Sequence, residues 1–269
     1  MYTGIKRNII FKAACFLAAT ALLGWSAPAG MWLQKNKGGY SVHYMAPDRN
    51  NINGYNKFLH AGVKNVQSFF QQTYPRKFDV YIHPNRHSLD SAWQKDWGMP
   101  DFKSECWMVA SGIATKLDII SPAVWTKEAC EHNYIEKDKT QQLITHELVH
   151  VLHGQLNASP DFSNTEGIDW FVEGLATYAS GQCDSSRIAN VMKAIKDNKV
   201  PESLADFWKG ELKYGLSGSV VMFIDAQYGR HKLIELLPFS KESEILKHLN
   251  IDEKELLKEW KDYMQKKFD

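Results

Sequence analysis

Apolar positions change period along this chain. In YSVHYM (40–45) they alternate with polar ones, the period of a strand with one buried face. In the next stretch, 52–74, Phe58, Val63, Val66, Phe69 and Phe70 recur at helical spacing. KFDVYIH (77–83) returns to the strand period and is closed by Pro84-Asn85. Strand, helix and strand in so short a span predict a βαβ-like start on a small sheet. HSLDSAWQKDWG reads as a short helix. The segment 105–121 carries two strand-like pieces interrupted by Gly112, a residue that in a strand marks a bulge or a close backbone approach.

From residue 138 onward the pattern is helical. One helix is expected over 138–153, ended by Gly154 in the C′ position. A loop rich in Asn, Ser and Pro follows. Further helices are expected near 166–180, 185–197, 213–228, 230–237, 241–249 and 252–267. The class is therefore α+β. A small mixed-sheet lobe (about 30–155) precedes a mostly helical lobe (about 156–269), with no repeat or long linker between them.

Residues 1–29 stand apart. A basic start, an apolar run and small residues at Ala27 and Ala29 read as a secretory signal cut after Ala29. The mature chain is then exported, to a periplasm or to the medium. The alternative is a retained membrane anchor, for which the uncharged run from Ala13 is short, so a membrane is met only through this segment if it stays uncut. Losing Lys6, Arg7 and Lys12 leaves 29 basic against 31 acidic residues. With no basic stripe, nothing points to a nucleic-acid partner. Cys106, Cys130 and Cys183 remain, and export permits one disulfide. A Cys106–Cys130 bridge would brace the segment ahead of the 138–153 helix. The nine tryptophans read as mostly core.

The chemistry lies in ITHELVHVLH (144–153). His146 and His150 are one helical turn apart on one face, so both imidazoles can reach one ion. Glu147, one residue round, cannot easily ligate beside them but can act as base on a water held there. A packed helix that merely carries histidines would show the same apolar residues, so a third ligand decides. Gly and His three and six residues after His150 would supply one, but His153 and Leu156 stand there. His153 reads as a capping or surface histidine. The remaining route is a glutamate on the next helix, and DWFVEGLATYAS offers Glu173. Its neighbour Gly174 would let the two helices approach closely. Glu166 competes, but it follows Ser163 at capping-box spacing and is given that structural role.

HELVH followed by WFVEG resembles the gluzincins, zinc peptidases with an HExxH helix and a downstream glutamate. The pattern is closest to the peptidase-MA-like group related to the aminopeptidase N family, whose second motif W-x-x-E-G-x-A is filled by Trp170, Glu173, Gly174 and Ala176. The resemblance spans about 105–237. It implies a zincin-like fold, one Zn²⁺ on His146, His150 and Glu173, and a peptide or protein substrate. It also implies that Tyr214, at the start of KYGLSGSVV, hydrogen-bonds the oxyanion; Tyr178 is the lesser candidate. It places SGIATKLDII beside the cleft as the strand on which a peptide adds. The aminopeptidases carry an amine-gripping glutamate near that strand. SGIAT has none, which points away from classical aminopeptidase specificity. Thr177 stands where thermolysin-like relatives have an acid that orients a ligand.

The expected reaction is hydrolysis of a peptide bond, with Glu147 as general base and Tyr214 as oxyanion donor. Two alternatives use the same residues: a zincin-fold binding protein with a non-catalytic metal, and a hydrolase of a non-peptide amide or ester. Asp161, Asp169, Glu211 and His231 read as surface residues, and 252–269 as an amphipathic closing helix.

Overall fold

The alternation at 40–44 is realised as a strand whose Tyr40, Val42 and Tyr44 are buried while Ser41 and His43 are less so. The structure, a computed structural model, describes residues 30–268; the stretch expected to be a secretory signal, residues 1–29, lies outside the described residues. β1 (Leu33–Asn36) pairs antiparallel with β2 (Tyr40–Tyr44). Helix α1 (Ile52–Phe70) then crosses to β3 (Phe78–His83), which lies parallel to β2, so the βαβ start holds. Helix α2 (Arg86–Trp97) begins where the Asn85 side chain accepts the Ser88 N–H. β4 (Ala110–Ile113) and β5 (Lys116–Ile120) form a hairpin. β5 runs parallel to β3, giving the sheet order β1-β2-β3-β5-β4 with β4 at the edge. β1 lies in a stretch for which the pattern predicted nothing.

A short helix α3 (Trp125–Glu128) precedes α4 (Lys137–Leu156), the helix that carries both histidines. The rest is helical: α5 (Asp169–Ala179), α6 (Ser185–Lys196), α7 (Lys213–Tyr228), α8 (Arg230–Glu235), α9 (Glu242–Leu249) and α10 (Glu253–Phe268). The mixed α/β class is as expected. No helix among the described residues is long and apolar enough to cross a membrane.

One hydrophobic core runs from Tyr40 to Met264. Tyr55 and Leu59 of α1, Val80 and Ile82 of β3, Ile119 of β5 and Ile144 of α4 meet around one small void, so α1 and α4 share a face of the sheet. α2 covers part of the other face, where His83 bonds Asp118 at 2.8 Å and Ser88 at 3.0 Å. α4 is the centre of the molecule, with Ile144–Gln155 continuously buried by α1, β4 and α5. A helix enclosed on all sides needs apolar residues all round, as LVHVL provides.

Two glycines play roles other than those expected. Gly154 does not end α4, which continues to Leu156 with Asn157 as its cap. A Cβ on Gly154 would lie 2.5 Å from the Pro160 carbonyl oxygen and 2.8 Å from the Ala114 nitrogen, so it admits two loops against the helix. Gly174 admits α7 rather than α4: its Cβ would lie 2.4 Å from the Ser217 carbonyl oxygen.

Candidate metal centre and cleft

α4 presents His146 and His150 one turn apart, with their Nε2 atoms 3.1 Å from each other. α5 crosses so that Glu173 Oε2 is 3.3 Å from His146 Nε2 and 3.6 Å from His150 Nε2. Both imidazoles are 6% exposed. Tetrahedral coordination with bonds of ~2.0–2.1 Å places ligand atoms roughly 3.3 Å apart, and these three separations bracket that value. Two imidazole nitrogens and a carboxylate oxygen converging on one point are three acceptors that a cation satisfies together. The group can hold a metal ion. Glu173 behaves accordingly. Burial would raise its carboxyl, but the charge of His150 and hydrogen bonds from both histidines outweigh that and hold it well below the usual range.

Glu147 points to the same place. Burial pushes its carboxyl up to about 7, against the opposing charge of His146; the charge of Glu173 adds to the rise, and a hydrogen bond from the Gly112 backbone N–H lowers it. That bond comes from β4, the edge strand. A Cβ on Gly112 would lie 2.2 Å from the Glu147 carbonyl oxygen and 3.1 Å from His150 Cβ. Gly112 therefore marks a close backbone approach, the second of the two readings of its position.

Tyr214, in the first turn of α7, faces the cluster from the opposite wall. Its ring centroid is 6.3 Å from that of His146 and 4.9 Å from that of Trp208. Burial and the charges of Glu173 and Glu147 raise the phenol, so it stays a proton donor at neutral pH. Tyr178 is spent elsewhere, donating to Asp225 at 2.8 Å.

These groups sit in a cleft of about 520 Å³. One wall is residues 108–113, including the edge of β4 that pairs with no other strand among the described residues; the other is α5, Trp208 and Tyr214. The first wall is anchored twice. Cys106 and Cys130 form a disulfide, while Cys183 is free. The Arg86 guanidinium donates to Ser104 Oγ at 2.6 Å and to the carbonyls of Glu105, Cys106 and Met108 at 2.8, 3.0 and 2.9 Å, and it also reaches the Glu128 carbonyl. Nothing in the pattern around Arg86 marked it, because its partners are backbone carbonyls of a loop some 20 residues on.

His146, Glu147, His150, Glu173 and Tyr214 thus meet in one cleft. Other expectations fail. His153 is fully buried rather than capping or at the surface, between the rings of Phe162 (5.0 Å) and Phe171 (5.7 Å), because α4 runs on beneath the loop that follows it. Its imidazole is lowered to about 3 by burial and the charge of His150. Ser163 and Glu166 form no capping box: Ser163 bonds Asp161, α5 starts only at Asp169, and the Glu166 backbone pairs with Ser240 and Glu242. Thr177 is buried without a partner for its hydroxyl, and the Nδ1 atoms of His146 and His150 have no protein partner among the described residues. Trp93, Trp125, Trp170 and Trp260 are core, but Trp97, Trp107 and Trp208 line the cleft. Asp161 and Asp169 are exposed as expected, yet they also line it.

A scan against protein-family models finds no match. No curated protein matches the chain.

Proposed function

We propose that this chain is an exported zinc metallopeptidase of gluzincin type with a zincin-like fold. The observation that carries the reading is the placing of Glu147. Its buried carboxyl lies beside a three-ligand cluster, at the floor of a cleft walled by an unpaired strand edge. A purely structural zinc site fills four protein ligands and needs no such base. The pair of imidazoles with one carboxylate suits zinc in its catalytic, three-ligand form. The disulfide supports an exported chain, since such bonds persist outside the reducing cytosol.

Bound there, the ion would supply Lewis acidity toward water and the scissile carbonyl. The chain's own residues do the rest. The β4 edge offers backbone N–H and C=O groups on which a substrate strand pairs. Glu147, held by the Gly112 N–H, takes the proton of the attacking water and delivers it to the leaving nitrogen. The Tyr214 hydroxyl donates to the carbonyl oxygen as negative charge develops, a contribution of about 3 kcal/mol for one such donor.

The decisive experiment compares the purified mature protein with Glu147→Gln on an unbiased peptide library, with metal measured by mass spectrometry. About one zinc per chain is expected in both, with cleavage by the wild type alone. Zinc in both and cleavage in neither overturns the peptidase reading in favour of a binding role. Equal cleavage by both removes Glu147 from the reaction.

A further inference from the structure

The cleft does not stop at Tyr214. It opens into a side pocket of about 240 Å³ that shares Glu131, His132, Leu143, Gln182 and Arg187 with it. Thr140, in the first turn of α4, lines this pocket. It is 1% exposed, and its hydroxyl has no partner among the described residues. Arg187 reaches in from α6. Its Nη1 donates to the Gln182 carbonyl at 2.7 Å, while Nε and Nη2 make no hydrogen bond to the described residues. Its guanidinium carbon lies 5.7 Å from the centre of the Tyr214 ring, which places it next to the reacting centre.

Charge along the cleft is polarised. Among the described residues, the Asp, Glu, Lys and Arg side chains that line it are Arg187, Glu131, Glu147, Asp161, Asp169 and Glu173, and a second cation, Lys213, lies over the Trp107 and Trp208 rings of the Arg187 end at 5.0 and 4.7 Å. Arg187 and Tyr214 stand at the His146 end. Asp161 stands at the His150 end, beside Phe162, whose ring is 6.1 Å from that of His150. Two exposed acids, Asp184 and Glu131, also line the side pocket. Asp184 accepts the Arg187 backbone N–H as the cap of α6, and its Oδ2 lies 4.0 Å from Arg187 Nη1, the nitrogen that already donates to Gln182, so Nε and Nη2 are the groups left for a ligand. A peptide along β4 would turn its amino end toward Asp161 and its carboxyl end toward Arg187. An open pair of guanidinium N–H groups matches a carboxylate in geometry as well as charge.

We propose that the side pocket is a subsite for a carboxylate on the carboxyl side of the cleaved bond, supplied by an acidic side chain or by the substrate's own C-terminus. Arg187 determines this specificity and Thr140 supplies a second donor. The inference rests on the peptidase reading for its account of what the pocket serves, but it is testable by binding alone.

The test uses zinc-loaded Glu147→Gln protein and fluorescence-labelled, N-acetylated hexapeptides. One set is amidated at the C-terminus and carries Glu or Gln at each position in turn. A second set is neutral and ends in a free acid or an amide. At the favoured position Glu is expected to bind about tenfold more tightly than Gln, the size of one charge-assisted contact. Preference for Glu assigns an acidic side chain, and preference for the free acid assigns the C-terminus. Adding Arg187→Gln should abolish the preference without weakening the Gln or amide peptides. Arg187→Lys should restore part of it, and Thr140→Val should reduce it. Equal binding of all peptides, or a preference that survives Arg187→Gln, overturns the proposal. If Arg187→Gln does not fold, the Glu-to-Gln ratio and its response to Thr140→Val decide. Cleavage by the wild type with no carboxylate preference sinks this inference and spares the peptidase reading. Carboxylate-selective binding without cleavage does the reverse.

Discussion

Gly112 of β4 and Glu147 of α4 touch so closely that a single added methyl group on Gly112 would lie 2.2 Å from the Glu147 carbonyl oxygen. The strand edge that would receive a peptide and the helix that holds the base are thereby one rigid unit.

Gly112→Ala should break that unit. The obstacle is helix backbone, which cannot move aside as a flexible side-chain tip would, so the strand must lift. A loss of about 1–3 kcal/mol is expected, as for other overpacked sites. Peptidase activity should fall much further than zinc content, because all three ligands lie on α4 and α5. Denaturant unfolding, zinc per chain and turnover on one peptide check this. Full activity would mean that β4 is not the substrate's partner.

Glu173 and Glu166 were the two candidates for third ligand, and only Glu173 meets the histidines. Glu173→Gln should weaken zinc affinity by more than the roughly 10–100-fold typical of losing an outer-sphere partner. Glu166→Gln should leave it unchanged, since Glu166 is exposed and its carboxylate pairs with Lys241 at 3.4 Å, away from the histidines. Competition with a calibrated chelator measures both. The opposite ranking would displace Glu173.

His153 links stability to pH. Its buried imidazole is lowered to about 3, from an ordinary value of 6.5. Below pH 6.5 the unfolded chain therefore binds a proton that the folded chain refuses. Stability should fall as pH drops from 6.5 toward 3, by up to about 1.4 kcal/mol per pH unit from this group, with no contribution above 6.5. His153→Leu removes the titration and should flatten the profile in that window. Urea unfolding of both proteins at pH 7, 6, 5 and 4 tests it; parallel profiles would show that His153 takes a proton while folded.

The Cys106–Cys130 bridge ties Trp107 to Glu131 and His132, and His132 Nε2 lies 3.0 Å from the Trp107 carbonyl oxygen. Replacing both cysteines by serine should cost about 3 kcal/mol for a loop of this length. Zinc should be retained, because the ligands lie on other elements, while peptide affinity falls with the loosened wall. Thermal unfolding with and without reductant, together with zinc per chain, checks the prediction. Loss of zinc along with the bridge would tie the wall to the metal centre itself.

What the sequence determined by itself were the features that depend on local spacing. Period 2 at 40–44 and period 3.6 at 52–70 follow from which side chains share a face, and His146, Glu147 and His150 are placed by helix geometry alone. Glu173 was legible too, because one loop and one helix start confine where it can return. The tertiary structure decided everything that depends on what covers what. His153 follows two apolar residues, Val151 and Leu152, in the same helix as the ligands, and only the loop packed over it makes it a buried neutral group. Gly154 and Gly174 look like punctuation and a helix–helix spacer, yet each is required by a partner far along the chain, Ala114 and Pro160 for one and Ser217 for the other. Arg86, Thr140 and Arg187 left no trace in the pattern, because their significance lies in backbone carbonyls and cavity walls brought up by folding. Chain-local geometry can place ligands on a helix; which donors remain open beside them is set by long-range packing.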